Sequence, residues 1–113
     1  VKEWQNPIVE YHNRLVEVKR LAARNVSPQV LGEHLDGLTL WQGEYRSKGL
    51  GGMKMSQGMA VPRSRSQGQW AKDHFPDIGK LETEVYEIRK KFEADHPGHT
   101  GSDIAKPDPH KTW

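Results

Sequence analysis

The sequence contains no cysteine, which excludes disulfide bonds, thiolate chemistry and zinc sites built on cysteine. It also contains no apolar run close to the roughly 20 residues of a membrane-spanning helix, so we expect no membrane span. Hydrophobic residues make up only 34% of the chain, but the net charge is only +2, so low hydrophobicity is not combined with the high charge typical of disordered chains. The 113 residues therefore predict one folded domain with a thin core.

Acidic residues are missing from the centre of the sequence. Between Glu44 and Asp73 there is none, whereas the remaining 11 basic residues of the chain are outnumbered by its 15 acidic ones. The near-neutral total therefore hides a basic centre between acidic flanks, which concentrates positive potential locally. The six basic residues of this centre are Arg46, Lys48, Lys54, Arg63, Arg65 and Lys72.

Two long amphipathic helices are predicted by the spacing of apolar residues. Within residues 4–24, and again within residues 78–95, apolar residues recur at steps of three and four, which places them on one face of a helix. Asp77 is the expected N-cap of the second helix. The simplest architecture packs the two helices against each other. The first face consists of Trp4, Ile8, Tyr11, Leu15, Val18 and Ala22, and the second of Ile78, Leu81, Val85, Ile88 and Phe92.

Two short helices are predicted between the long ones. Ser27-Pro28 is a typical helix start, because serine can cap the first turn and proline is tolerated at the first helical position. We expect the helix that starts there to cover residues 28–36 and to end near Gly37. Thr39 is expected to cap a further short helix over residues 40–48.

The segment 49–69 is predicted to be a long basic loop. It contains five glycines together with serine, glutamine, methionine and arginine, and it shows no sustained helical or strand periodicity. A short hairpin over residues 53–62 is the alternative, because methionines and a valine alternate weakly there. The predicted fold is therefore mainly α, with two long amphipathic helices and short helices around a long glycine-rich basic loop. Residues 1–96 are expected to form a single helical domain, and residues 97–113 a polar, proline-rich tail.

The basic centre is the strongest candidate for a functional site. Guanidinium groups bind phosphate oxygens in a bidentate manner, serine hydroxyls add hydrogen-bond donors, and a tryptophan can stack on a base. The alternative is a solvated linker whose charges only add solubility. The candidate nucleic-acid-binding residues are Arg46, Lys48, Lys54, Arg63, Ser64, Arg65, Ser66, Gln69, Trp70 and Lys72.

Histidines next to this centre are candidate proton carriers. His34 precedes Asp36 by two residues, and a carboxylate can orient a histidine that acts as a general base. Residues two apart diverge on a helix, however, so the alternative for His34 is an ordinary place on a helix surface. His74 follows Trp70 by four residues, which would bring it beside the basic loop.

A histidine- and aspartate-rich stretch near the end of the sequence is a candidate site for a divalent metal ion. Imidazole and carboxylate groups are common metal ligands, but Pro97-Gly98 breaks the helix that would fix their geometry. The alternative is an ordinary polar tail. The residues in question are Asp95, His96, His99, Asp103, Asp108 and His110.

Four short segments follow one another in an order that resembles the HxxD group of bacterial polymorphic-toxin nucleases. Where that family has its histidine and aspartate, this chain reads Leu40-Trp41-Gln42-Gly43-Glu44. No histidine aligns there, and Glu44 is the residue that stands in for the acid. The matching segments are the helix predicted within residues 25–38, the glycine pair 51–52, the stretch 65–70 that ends in Gln-Trp, and the helix start at 78–82.

The resemblance implies a nuclease module that hydrolyses phosphodiester bonds, placed at the C-terminal end of a larger secreted bacterial effector that acts in a cytoplasm. It also implies a cognate inhibitory or carrier protein as a partner besides nucleic acid. Glu44 joins His34 and His74 as candidate catalytic residues, and a divalent metal ion could supplement or replace the base. Two alternatives stay open: a non-catalytic helical module that binds nucleic acid or an acidic protein, and an interaction segment of a larger assembly.

Overall fold

The computed structural model describes residues 2–96, which form four α-helices, one short π-helix and a two-stranded antiparallel sheet. The prediction of a mainly α fold is confirmed. The predicted tail, residues 97–113, lies outside the described residues. In chain order the elements are α1 Gln5–Ala23, α2 Pro28–Glu44, the π-helix Tyr45–Gly49, β1 Met53–Ser56, β2 Met59–Pro62, α3 Arg65–His74 and α4 Ile78–Asp95.

The two long helices form where the apolar spacing predicted them, and α1 packs against both α4 and α2. Ile8, Leu15 and Val18 of α1 and Leu35 of α2 are at most 1% exposed, and Phe92 of α4 is 4% exposed. Burial of such a side chain stabilises a fold by about 1.5–3 kcal/mol. The three helices α1, α2 and α4, called the helical body below, therefore carry most of the apolar core.

α2 is one continuous helix where two short ones were predicted. Ser27 caps its start as expected, because the Ser27 hydroxyl oxygen accepts a hydrogen bond from the N–H group three residues on. Gly37 does not end the helix, and the Thr39 hydroxyl donates to the Leu35 carbonyl oxygen at 3.1 Å instead of capping a new one. The helix continues because Leu35 and Leu38 on either side of Gly37 are buried, so tertiary packing outweighs the low helix propensity of glycine.

The predicted loop over residues 49–69 is not confirmed and needs correction, because most of this segment is regular structure. The hairpin that was the alternative is present, and its turn at Gln57-Gly58 has φ angles of 53° and 80°, as in a type I′ hairpin turn. Residues 65–69 belong to the first half of α3. The strands pair in the register Met53–Pro62, Lys54–Val61, Met55–Ala60 and Ser56–Met59.

The glycines of this segment serve turns and a close contact. Gly51 and Gly52 have φ angles of 70° and 93°, a region that residues with a Cβ rarely adopt, and they connect the π-helix to β1. Gly68 lies inside α3, where a Cβ would come within 3.3 Å of the Pro62 Cγ. Glycine at this position therefore lets α3 approach the hairpin closely.

α4 begins at Ile78 as predicted, but its N-terminus is not capped as predicted. The Asp77 side chain accepts no hydrogen bond from the first turn of α4. Its Oδ1 lies 3.5 Å from the Nε2 of His12 on α1, so Asp77 links α4 to α1 across the interface. No helix within residues 2–96 is long and apolar enough to cross a membrane.

Candidate functional site

An open cleft of about 680 Å³ lies between the β-hairpin, α3 and the start of α4. Its floor is buried or half-buried and mostly apolar, and it includes Tyr45, Leu50, Val61, Pro62, Ala71, Phe75 and Ile78. Its rim is polar and includes Lys54, Ser56, Arg63, Ser64, Arg65, Gln69 and Lys72. We call this feature the cationic cleft. It brings together six of the predicted nucleic-acid-binding residues, namely Lys54, Arg63, Ser64, Arg65, Gln69 and Lys72.

The four cations of the rim, Lys54, Arg63, Arg65 and Lys72, have no acidic partner within residues 2–96. Among the described residues no aspartate or glutamate lines the cleft, and none of the five ion pairs found there involves any of the four cations. Lys48 differs, because its Nζ lies 3.0 Å from the Glu44 Oε2. The cleft therefore concentrates four positive charges that remain available to an external anion.

The spacing of the polar rim residues in the sequence explains why they face the cleft together. Lys54 and Ser56 are two residues apart on β1, so both side chains lie on one face of the hairpin. Arg65, Gln69 and Lys72 follow at steps of four and three on α3, so they share one face of that helix. The two faces meet at the cleft, where Gly68 of α3 comes close to Pro62 of β2.

Gln67 joins α3 to the π-helix, which follows α2 of the helical body directly, and this role was not predicted from the sequence. Its side-chain Nε2 donates to the carbonyl oxygens of Lys48 at 2.9 Å and Gly49 at 3.0 Å, at the end of the π-helix. Its backbone N–H donates to the Ser64 hydroxyl oxygen at 3.3 Å, which caps α3. The spacing Ser64-Arg65-Ser66-Gln67 is that of a capping box and could have indicated the start of this helix.

Trp70 and His74 come together as their spacing predicted, but they lie outside the lining of the cleft. Their rings stack at a centroid distance of 4.2 Å, and the His74 Nδ1 lies 3.0 Å from the Trp70 carbonyl oxygen. Trp4 contacts the Trp70 ring edge-on at 5.5 Å. Trp70 is therefore half-buried in an aromatic cluster that packs against the core.

The other candidate catalytic residues lie apart from the cleft. His34 is on α2 beside α1, where its charge contributes to the lowered pKa of the Glu17 carboxyl, although the hydrogen bond from Arg20 is the larger cause. Glu44 pairs with Lys48 at the end of α2. Among the described residues no histidine lines the cleft, so the structure does not bring His34, Glu44 and His74 together there.

The two remaining predicted contacts also lie outside the lining of the cleft. Ser66 is exposed, and its hydroxyl oxygen lies 3.3 Å from that of Ser64. Arg46 is exposed on the π-helix, close enough to Tyr11 and Tyr45 for its positive charge to oppose the rise in the pKa of both phenols. Both residues therefore stand next to the cleft in sequence but contribute nothing to its rim.

Tyr45 of the floor stacks on Tyr11, which lies behind it and does not line the cleft. The rings of Tyr11 and Tyr45 are 4.6 Å apart, and the Tyr11 hydroxyl donates to the Glu82 Oε2 at 2.6 Å. Burial, with a further contribution from the negative charge of Glu82, raises the pKa of Tyr45 to about 12. Burial and the hydrogen bond to Glu82 raise the pKa of Tyr11 as well. Both phenols stay neutral at physiological pH, so the floor adds no negative charge to the cleft.

No group of three or more histidine, aspartate or glutamate side chains within residues 2–96 is arranged to hold a metal ion. Asp95 is exposed, and His96 packs its ring against Phe92 at a centroid distance of 5.0 Å. The other members of the predicted metal-binding stretch, His99, Asp103, Asp108 and His110, lie outside the described residues.

The described residues thus define a mainly helical protein in which a hairpin and a helix form a cationic cleft on the side of a helical body. Comparisons of the chain with protein-family models, with curated proteins and with solved structures found no match. The resemblance to the HxxD nucleases and the function that it implies therefore stay predictions.

Proposed function

We propose that this chain binds nucleic acid in the cationic cleft, through the phosphate groups of the backbone. The observation that carries the proposal is a set of four cations on one rim that form no ion pair within residues 2–96. No carboxylate of the described residues lines the cleft. The four cations are Lys54, Arg63, Arg65 and Lys72. Phosphate oxygens spaced along a nucleic-acid strand are the ligand that such a row of charges fits.

Unpaired cations favour an external ligand for an energetic reason. A lysine or arginine that already has a carboxylate partner must give it up before it binds a phosphate, and the binding free energy is reduced accordingly. The rim cations have no such partner among the described residues. Arg63 and Arg65 can each contact one phosphate with two parallel hydrogen bonds, and the hydroxyl of Ser64 between them adds a donor.

Fluorescence anisotropy with a labelled oligonucleotide, measured over a series of salt concentrations, tests the proposal. For a single strand that contacts four phosphates, the logarithm of the association constant should fall with the logarithm of salt with a slope of about −3. The double variant Arg63→Ala/Arg65→Ala should weaken binding by at least about tenfold and reduce the slope to about −1.4.

The control is a double variant that removes the same charge elsewhere. Arg24 and Lys90 are exposed and do not line the cleft, so Arg24→Ala/Lys90→Ala should change affinity little. Equal losses in the two double variants, or an affinity that does not depend on salt, would show that the cleft is not the binding site.

Phosphodiester hydrolysis stays a prediction that the same samples can test. Plasmid DNA and total RNA are incubated with the protein in the presence of Mg²⁺, Mn²⁺ or Zn²⁺ and analysed on gels, together with the variants His34→Ala, Glu44→Gln and His74→Ala. Cleavage that one of these variants abolishes would make the protein a nuclease. A salt-sensitive mobility shift without cleavage would make it a binding module, as the cleft favours.

A further inference from the structure

The floor of the cationic cleft is unlike its rim, and phosphate binding alone does not account for it. The half-buried side chains of Val61, Pro62 and Phe75 offer apolar surface at the bottom of the cleft, whereas phosphates need only the cations above them. An apolar floor beneath a charged rim is suited to a ligand with a flat apolar part and an anionic part. A nucleotide has both parts.

We infer that the cationic cleft takes single-stranded nucleic acid, with a base seated on the apolar floor and the flanking phosphates on the rim. This inference rests on the proposed function and specifies its substrate class. In a duplex the bases are stacked and paired, so their faces are closed to the protein, whereas an unpaired base can leave the stack and present an apolar face. The floor is thus useful to a single strand and of no use to a duplex backbone.

Met59 adds exposed apolar surface next to the cleft, on the face of the hairpin that lines it. Ser56 and Met59 are directly paired across the strands, so the Met59 side chain lies on the same face of the hairpin as Ser56 and Lys54, which line the cleft. Met59 is 67% exposed. A flexible thioether at this position can cover the edge of a base that rests on the floor.

Met55 provides a matched comparison within the same hairpin. It is 69% exposed, close to the value for Met59, but it pairs with Ala60 and lies on the opposite face. The two methionines therefore share chemistry and exposure and differ in the face that they occupy. Neither substitution should disturb folding, because both side chains are mostly in solvent.

The experiment measures the affinity of the full chain for three labelled probes with equal numbers of phosphates. These are a single-stranded oligothymidine, a single-stranded oligomer with abasic sugars at every position, and a blunt duplex. A single-stranded RNA of the same length is a fourth arm, because DNA and RNA share the required chemistry. The base-containing single strands should bind at least about fivefold more tightly than the abasic strand and the duplex, since contact with a base adds to the phosphate term.

Three variants separate the contribution of the base from that of the phosphates. Met59→Ala should weaken binding of the base-containing single strand by about threefold without changing that of the abasic strand, and Met55→Ala should change neither. Arg63→Ala/Arg65→Ala should weaken the binding of every probe, including the RNA. Circular dichroism of each variant confirms that it is folded.

The outcomes separate this inference from the proposed function. If the abasic strand or the duplex binds as tightly as oligothymidine while the Arg63/Arg65 variant weakens all of them, the base-seating inference is overturned and phosphate binding stands. Equal effects of the two methionine substitutions would also overturn the role of Met59. If no probe binds in a way that depends on Arg63 and Arg65, the proposed function falls and this inference falls with it.

Discussion

The helical body and the cationic cleft differ in the ion pairs that their charged side chains form. In the body, Arg14 pairs with Glu10 at 3.0 Å within α1, and Lys19 of α1 pairs with Glu84 of α4. At the cleft, the four rim cations have no such partners among the described residues. The Lys19–Glu84 pair thus joins two helices of the body, whereas the four rim cations form no ion pair within residues 2–96.

The two regions also differ in how deeply their apolar side chains are buried. The body buries Ile8, Leu15, Val18 and Leu35 almost completely. In the hairpin, Met55 and Met59 are mostly exposed, and Ala71 is the buried residue of α3. We conclude that the free energy of folding comes mainly from the body and that the cleft is a surface built on it.

The largest expected effect is the loss of a buried leucine from the body. Leu35→Ala should lower the free energy of unfolding by about 2–5 kcal/mol, because the site is fully buried and a cavity would remain. Leu40→Ala in the same helix should change it by no more than about 0.5 kcal/mol, because Leu40 is 67% exposed. Urea denaturation followed by circular dichroism measures both. Similar effects of the two substitutions would mean that α2 does not pack as described.

An intermediate effect is expected at the junction of the two regions. Gln67→Ala removes the hydrogen bonds to the carbonyl oxygens of Lys48 and Gly49, and it should lower the free energy of unfolding by about 1–2 kcal/mol. It should also weaken oligonucleotide binding, because α3 then lacks its link to the π-helix.

The control for this junction is a second glutamine in the same helix. Within residues 2–96 the Gln69 side chain bonds only to Asp73, on the surface of α3, so Gln69→Ala should lower the free energy of unfolding by about 0.5 kcal/mol or less. Denaturant titrations of the two variants at one protein concentration give the comparison directly. If Gln69→Ala proved the more damaging substitution, Gln67 would not be the link between cleft and body.

The smallest expected effect concerns the charges themselves. Lys19→Ala, which breaks the pair with Glu84 between α1 and α4, should lower the free energy of unfolding by up to about 1 kcal/mol, since both side chains are partly exposed. Arg63→Ala/Arg65→Ala should leave it unchanged within about 0.5 kcal/mol despite the loss of two charges. Thermal melts at low and moderate salt measure both, and a marked loss of stability in the arginine variant would contradict the contrast between the regions.

The helical body could be predicted from the sequence because its signals are periodic. The apolar steps of α1 and α4 fix both their type and their buried face, and Ser27 marks the start of α2. The single α2 could not be predicted, because the local tendency of Gly37 and Thr39 to interrupt a helix is weak and the burial of Leu35 and Leu38 decides the outcome. Such burial depends on α1, which is distant in sequence.

The sequence predicted the positive charge of this region but not the cleft, because composition contains no information about geometry. The sequence around Arg63 and Arg65 lacks acidic residues, and within residues 2–96 neither arginine forms an ion pair. The prediction of a loop holds for Gly51 and Gly52, which connect the π-helix to β1 with positive φ angles. It was wrong for Gly68, which lies inside α3 and permits a close contact with Pro62. The direction of the Trp70 side chain depends on which face of α3 packs against the core, and the local sequence does not predict that face.

The π-helix determines the direction in which the chain leaves α2 towards the hairpin. The backbone N–H of Leu50 donates to the Tyr45 carbonyl oxygen five residues earlier at 2.8 Å, so this turn holds one residue more than an α-turn. A Cβ on Gly49 would come within 2.9 Å of the Ile8 Cγ1, so the end of the turn is pressed against α1. Deleting one residue here would tighten the turn and swing the outgoing chain by about 100° around the helix axis. A single inserted amino acid thus sets the side of the protein on which the hairpin emerges.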